Sequence, residues 1–146
     1  MNKTIENRLI QAEALCKKIN VRLTPIRKDL LMLIYSNQGH LTAYELLRQL
    51  RQNYPKAEAM TVYRALDFLQ KNQLIHRIAS QNSYTACETP EHDHHAQLLL
   101  CEKCGNTEEV SIGLLEKALQ KMAKLYHFML SEKPMEIVGT CRKCLV

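Results

Sequence analysis

Apolar residues recur at helical spacing from residue 5 to residue 71 and then switch to a strand-like pattern. Ile5, Leu9, Ala12, Cys16 and Ile19 follow one another at intervals of four and three, which predicts an amphipathic helix. Thr24-Pro25 supplies an N-cap and a proline for the first helical position, opening a second helix that Gly39 can end. Thr42-Ala43-Tyr44-Glu45 has the form of a capping box. Leu46, Leu47 and Leu50 share one face of the helix it opens, and Pro55 closes the segment. A fourth helix is expected from Ala59 to Lys71, with Val62, Ala65, Leu66 and Leu69 inward and Tyr63, Arg64, Asp67 and Lys71 outward. Leu74–Ala79 and Ser83–Cys87 then read as two short strands turning at Gln81-Asn82. Successive helices closed by a hairpin are the layout of a winged helix-turn-helix, whose last helix before the hairpin enters the DNA major groove.

Glu88-Thr89-Pro90-Glu91 is polar and carries a proline, as a linker does. Beyond it the pattern predicts strands at 97–100 and 109–112, a helix at 114–126, and strands at 128–130 and 136–140. The expected class is α+β. A winged helix-turn-helix domain over residues 1–87 and a linker over 88–91 precede a small α/β domain over 92–146. Only the paired Cys-x-x-Cys units repeat.

Composition sharpens this picture in two ways. Of the 146 residues, 46% are hydrophobic and 24% charged, the balance of a soluble globular chain. No apolar run approaches the ~20 residues that cross a bilayer, and Met1–Asn7 lacks the apolar core of a signal peptide. A cytoplasmic chain with six cysteines is expected to use them as metal ligands before disulfides. The net charge of +5 divides unevenly, +6 over residues 1–89 and −1 over residues 90–146, while four of the six histidines and four of the six cysteines fall in the second part. A basic part and a ligand-rich part suggest two tasks, although the excess by itself is also that of a soluble surface. There is no activated nucleophile, no phosphate-cradling glycine loop and no paired acids, so neither an enzyme nor a small-molecule substrate is expected.

The densest chemistry is Cys101-Glu102-Lys103-Cys104-Gly105 with Cys141-Arg142-Lys143-Cys144. Zinc at structural sites takes four thiolates in a closed tetrahedron, and a Cys-x-x-Cys turn offers two sulfurs with amides directed at them. Residues 105–140 hold a helix and strands that can bring the pairs together. The competing reading is redox-active or unpaired thiols.

A second group is less regular. A turn at Gln81-Asn82 would place His76 directly opposite Cys87. The cluster His92-Asp93-His94-His95 comes soon after, and Glu109 begins a neighbouring strand. His, Cys, His and carboxylate make a mixed tetrahedron acceptable to zinc. Spacing leaves open that His76 is a surface histidine, Cys87 a small core residue and Glu109 a solvated charge. Cys16 lies on an apolar stripe and reads as core, while His40 and His127 have no evident partners. Tyr63 and Arg64 suit a recognition helix, and equally a plain exposed face.

These residues carry a resemblance. Asn20–Pro25, Thr42–Leu47, the run Thr61-Val62-Tyr63-Arg64-Ala65-Leu66-Asp67-Phe68-Leu69, Asn82-Ser83-Tyr84 and both Cys-x-x-Cys units resemble the ferric-uptake-regulator superfamily over nearly the whole chain. Cys87 at the end of the wing is similar to the zinc-uptake-regulator branch rather than to the iron or peroxide sensors, the alternative reading within this fold. The resemblance implies a cytoplasmic homodimer that represses zinc-uptake genes by binding palindromic double-stranded operators when zinc is replete, with the C-terminal domain as the dimerisation domain. It implies two zinc ions per chain. Cys101, Cys104, Cys141 and Cys144 would form the structural site, and His76, Cys87, His94 and Glu109 the regulatory one. Counting from Cys87 instead selects His95, and His92 and His40 are further alternatives. It also implies that Tyr44, Thr61, Tyr63, Arg64, Arg22 and Arg27 face DNA. Lys133 stands where iron-type members have a histidine, so their further metal site is not expected.

Overall fold

The computed structural model describes residues 4–37, 39–90 and 95–146. The chain divides into two compact units, Met1–His92 and Asp93–Val146. Among the described residues no helix is long and apolar enough to cross a membrane.

The first unit begins with α1 (Ile5–Lys18), where Thr4 Oγ1 accepts the amide of Asn7 and Leu9, Ala12 and Cys16 are buried. The stripe read from sequence is buried only in its middle, since Ile5 and Ile19 remain exposed at the helix ends. Pro25 occupies the first turn of α2 (Pro25–Tyr35). This helix stops short of Gly39. The Ser36 hydroxyl donates to the Met32 carbonyl, and Asn37 Oδ1 accepts the Gly39 amide, so short polar side chains take over the backbone groups that another helical turn would have used.

A two-residue strand that the sequence pattern does not signal, β1 (Leu41–Thr42), leads directly into α3 (Ala43–Leu50). The capping box is complete: Thr42 Oγ1 accepts the Glu45 amide at 3.2 Å, and Glu45 Oε2 accepts the Thr42 amide at 2.9 Å. The connection to α4 (Ala59–Lys71) is tied down by Tyr54, which donates to Asp29 Oδ2 of α2 at 2.7 Å, and by Arg51 Nε, which donates to the Ala57 carbonyl. Val62, Ala65, Leu66 and Leu69 of α4 are buried, as the pattern predicts, against a core that includes Leu30, Leu46 and Ile75.

Strands β2 (Ile75–Ile78) and β3 (Ser83–Ala86) form the wing, and β1 joins them in an antiparallel sheet of order β1-β3-β2. The wing does not turn on two residues. A short 3-10 turn, Ala79–Gln81, precedes Asn82, which adopts the left-handed conformation at φ 44° and accepts a hydrogen bond from Arg77. The reversal therefore occupies residues 79–82.

In the second unit, β4 (Gln97–Cys101) is central, antiparallel to β5 (Thr107–Val110) and parallel to β6 (Met135–Gly139). Helix α5 (Gly113–Leu125) connects β5 to β6 and buries none of its residues. The strand expected at 128–130 is not formed. His127 takes the left-handed conformation, φ 49°, and the Phe128 amide bonds back to the Ala123 carbonyl at 2.8 Å. The chain is thereby committed to a Schellman helix end, where the sequence pattern read a strand.

Thr42→Ala removes one half of the capping box, and urea unfolding of the whole protein should show a loss of about 1 kcal/mol. An unchanged midpoint would mean that packing alone sets the start of α3.

Candidate functional site

The four cysteines of the second unit converge. One sulfur from each of Cys101, Cys104, Cys141 and Cys144 lies within 4.8 Å of the others, and Cys104 Sγ and Cys141 Sγ are 3.6 Å apart. Two sulfurs on a tetrahedral zinc with Zn–S bonds of about 2.3 Å stand roughly 3.8 Å apart, so the donor set fits that ion. The two turns are closed by different backbone hydrogen bonds. The Gly105 amide bonds to the Cys101 carbonyl with Gly105 at φ 74°, and the Cys144 amide bonds to the Cys141 carbonyl at the short 3-10 turn Arg142–Cys144. The Glu102 amide donates to the Gly139 carbonyl, fastening the first turn to the end of β6, from which the second turn continues.

Electrostatics point the same way. The amides of Cys104, Cys141 and Lys103 hold the Cys101 thiol down to about 6, with the Cys141 amide 3.3 Å from its sulfur. Hydrogen bonding to Cys141 and Cys104 pushes Cys144 up to about 12. Four thiols packed this closely cannot all ionise unless a cation neutralises them.

The first unit holds two further donors. His76 lies opposite Thr85 and not, as a turn at 81–82 would have it, opposite Cys87. The four-residue reversal at 79–82 moves the register by two. Because side chains alternate with period two, that shift leaves Cys87 on the same face as His76, diagonally across the strands. Their ligand atoms are within 4.8 Å. Cys87 is 1% exposed, and its amide donates to the Leu74 carbonyl, continuing the hairpin by one residue.

Glu88, the residue after Cys87, is anchored by a long-range contact that has no local sign in the sequence. Arg8 of α1 sits 3.4 Å from the Glu88 carboxylate, and its guanidinium lies 4.1 Å over the ring of Tyr35. Burial pushes the Tyr35 hydroxyl up to about 12, against the lowering effect of Arg8.

His92 and His94 lie outside the described residues, while His95 is exposed just before β4. Glu109 sits on β5 opposite Leu98, and half-buried His40 precedes β1. No group of three or more ligands among the described residues includes His40 or His95.

The outer face of α4 presents Tyr63, 44% exposed, with Arg64, Asp67 and Lys71; Thr61 is half-buried in the first turn. Tyr44, near the start of α3, is 74% exposed. Arg22 is exposed. The Arg27 guanidinium stacks 3.7 Å over Phe68 and donates to the Arg22 carbonyl, bracing the loop before α2.

Comparison with known proteins agrees with this construction. The model of the ferric uptake regulator family matches residues 18–138. A zinc uptake regulation protein of Escherichia coli is 37% identical over 147 residues, covering 99% of this chain and 86% of its own. Among solved structures, a zinc uptake regulator complexed with zinc and DNA aligns with a TM-score of 0.91 at 36% identity, covering 99% of this chain and 97% of that one. Holo XcZur aligns with a TM-score of 0.84 at 34% identity, covering 93% and 95%. The chain therefore belongs to the ferric uptake regulator family, in its zinc-uptake-regulator branch.

Proposed function

We propose that the chain is a cytoplasmic, zinc-responsive transcriptional repressor. It binds palindromic operators of zinc-uptake genes as a homodimer when a regulatory zinc site is filled. The observation that carries this reading is the convergence of His76 and Cys87 on the wing, in the strands that come directly after the exposed face of α4. The likeness to a zinc uptake regulator complexed with zinc and DNA supports it.

The two donor sets suit different tasks. Cys101, Cys104, Cys141 and Cys144 form a closed thiolate set that leaves no open position, appropriate to holding the second unit together. His76 and Cys87, completed by Glu109 and one of His92, His94 and His95, form a mixed N/S/O set suited to sensing. Zinc supplies a divalent charge that these donors can share, for two ions per chain. Residues 88–91 act as the linker between a DNA-binding domain, 1–87, and a dimerisation domain, 92–146. Donors drawn from wing, linker and dimerisation domain favour one arrangement of the domains when bound. That arrangement fixes the spacing of two recognition helices against two half-sites. Tyr44, Thr61, Tyr63, Arg64, Arg22 and Arg27 contribute to the DNA face.

The dimer reading draws on the apolar surface of the second unit. Leu114, Leu125, Tyr126, Phe128 and Met129 are exposed, Met129 by 91%, and α5 has no buried residue, so a second copy is the natural cover for this surface.

Titrating binding to a zinc-uptake promoter fragment against buffered free zinc, with metal counted per chain, should show affinity rising as the count goes from one to two. Tight binding at one zinc, or with iron alone, would overturn the reading. Cys87→Ala and His76→Ala should stay folded and dimeric yet lose the zinc-dependent rise, and binding that responds to a chelator as the wild type does would remove them from the regulatory site. Cys101→Ser should instead release the structural zinc and dissociate the dimer, seen by metal analysis and sedimentation. A dimeric variant with full zinc content would show that the thiolate set is not structural.

A further inference from the structure

The outward stripe of α4 begins one turn earlier than its polar residues. Met60, Tyr63, Arg64, Asp67 and Lys71 succeed one another at intervals of three, one, three and four, and all are exposed. At about 100° per residue, Met60 lies roughly 180° around the helix from the centre of the buried face made by Val62, Ala65, Leu66 and Leu69. It is 58% exposed in the first turn of the helix, in line with Arg64 one turn later. A large apolar side chain there packs against nothing in its own core, and it occupies the end of the recognition helix that meets base edges.

We propose that Met60 packs against the 5-methyl group of a thymine in each operator half-site and sets the base preference at that position. This rests on the reading of α4 as the recognition helix. The major groove presents hydrogen-bonding groups at every base pair, and its one prominent apolar feature is the thymine methyl. Arg64 and Tyr63 supply hydrogen-bonding partners along the stripe. Met60 supplies a long, unbranched, polarisable chain with only a weak acceptor, which suits a methyl group and suits neither a phosphate nor a guanine edge.

The test uses the full-length, zinc-loaded protein. An operator is selected from random duplexes, and each of its thymines is replaced in turn by deoxyuridine, which lacks only the methyl group. At one thymine per half-site the wild type should lose affinity about fourfold, the worth of one buried methyl. Met60→Leu should keep that sensitivity, while Met60→Ala should bind the thymine and deoxyuridine duplexes equally. Melting temperature and metal content of both variants should match the wild type. The proposal is overturned if no thymine shows the loss, or if Met60→Ala loses affinity by one factor on every duplex and keeps the deoxyuridine sensitivity, as a backbone contact would. Failure to select any duplex in a zinc-dependent way sinks the repressor reading with it, whereas selective binding without the Met60-dependent methyl effect overturns this assignment alone.

Discussion

Four thiols held within 4.8 Å of one another offer the second unit a fastening that a shared cation would close. Its sheet has three strands, its helix buries no residue, and among the described residues its buried apolar side chains are those of Ala96, Leu98, Leu100 and Cys101 on or beside β4, with none on β6. The cysteine turns sit at those ends: Cys101 closes β4, and Cys141 comes just beyond β6, separated from Gly139 by Thr140 alone. Parallel pairing of β4 with β6 joins strands far apart in sequence, a costly closure for a small unit. A cation shared by the four sulfurs would fasten that pairing where it is entropically weakest. The amides aimed at Cys101 show a backbone already shaped for thiolates, which a reduced pair of ordinary cysteines does not need.

The first unit solves its problems differently, by burial and by helix ends. Three helices in the chain finish in the same way. Asn20, Gln73 and His127 adopt the left-handed conformation, and the amides of Val21, Leu74 and Phe128 return to the carbonyls of Cys16, Leu69 and Ala123. None of the three is glycine, so each accepts a backbone conformation that L-residues resist. At Gln73 the consequence is directional: the Leu74 amide is spent on the helix, its carbonyl accepts from Cys87, and β2 starts at the next residue. The end of α4 thus sets the beginning of the wing and the backbone partner of Cys87 within two residues.

Much of the fold was legible in the sequence because its signals are local. The capping box, Pro25 and the buried stripe of α4 stand where the pattern puts them. What the pattern misses depends on tertiary context. The strand β1 is two residues long and exists only because β3 lies beside it. The segment Phe128–Leu130 is as apolar as a strand, yet the preceding helix end captures its first amide. The wing register differs by two from the one the sequence suggests, because Gln81-Asn82 resembles a two-residue turn and only the 3-10 geometry of Ala79–Gln81 reveals four. Even so, His76 and Cys87 stay on one face, since an even slip preserves facing where an odd one would destroy it. The Arg8–Glu88 contact joins positions 80 apart and has no sequence signal.

That contact bears on how a sensing site can be both specific and reversible. A binding ligand shifts a conformational equilibrium only by the difference in its affinity for the two states. Donors already fixed in place lose little freedom on binding, and donors brought in from a separate unit lose more; a switch needs some of each. On the wing, the backbone of Cys87 is held by Leu74, and the carboxylate after it is held by Arg8 against Tyr35. His76 is held by the ladder it shares with Thr85. In the proposed sensing site these two donors are preorganised, and they would set which metal chemistry is accepted, a nitrogen and a sulfur together. The proposed partners from the linker and the second unit would carry the conformational cost. The affinity of the full site would then fall below that of the same four donors fully preorganised, by the free energy of domain arrangement. That same difference is what zinc could transmit to DNA.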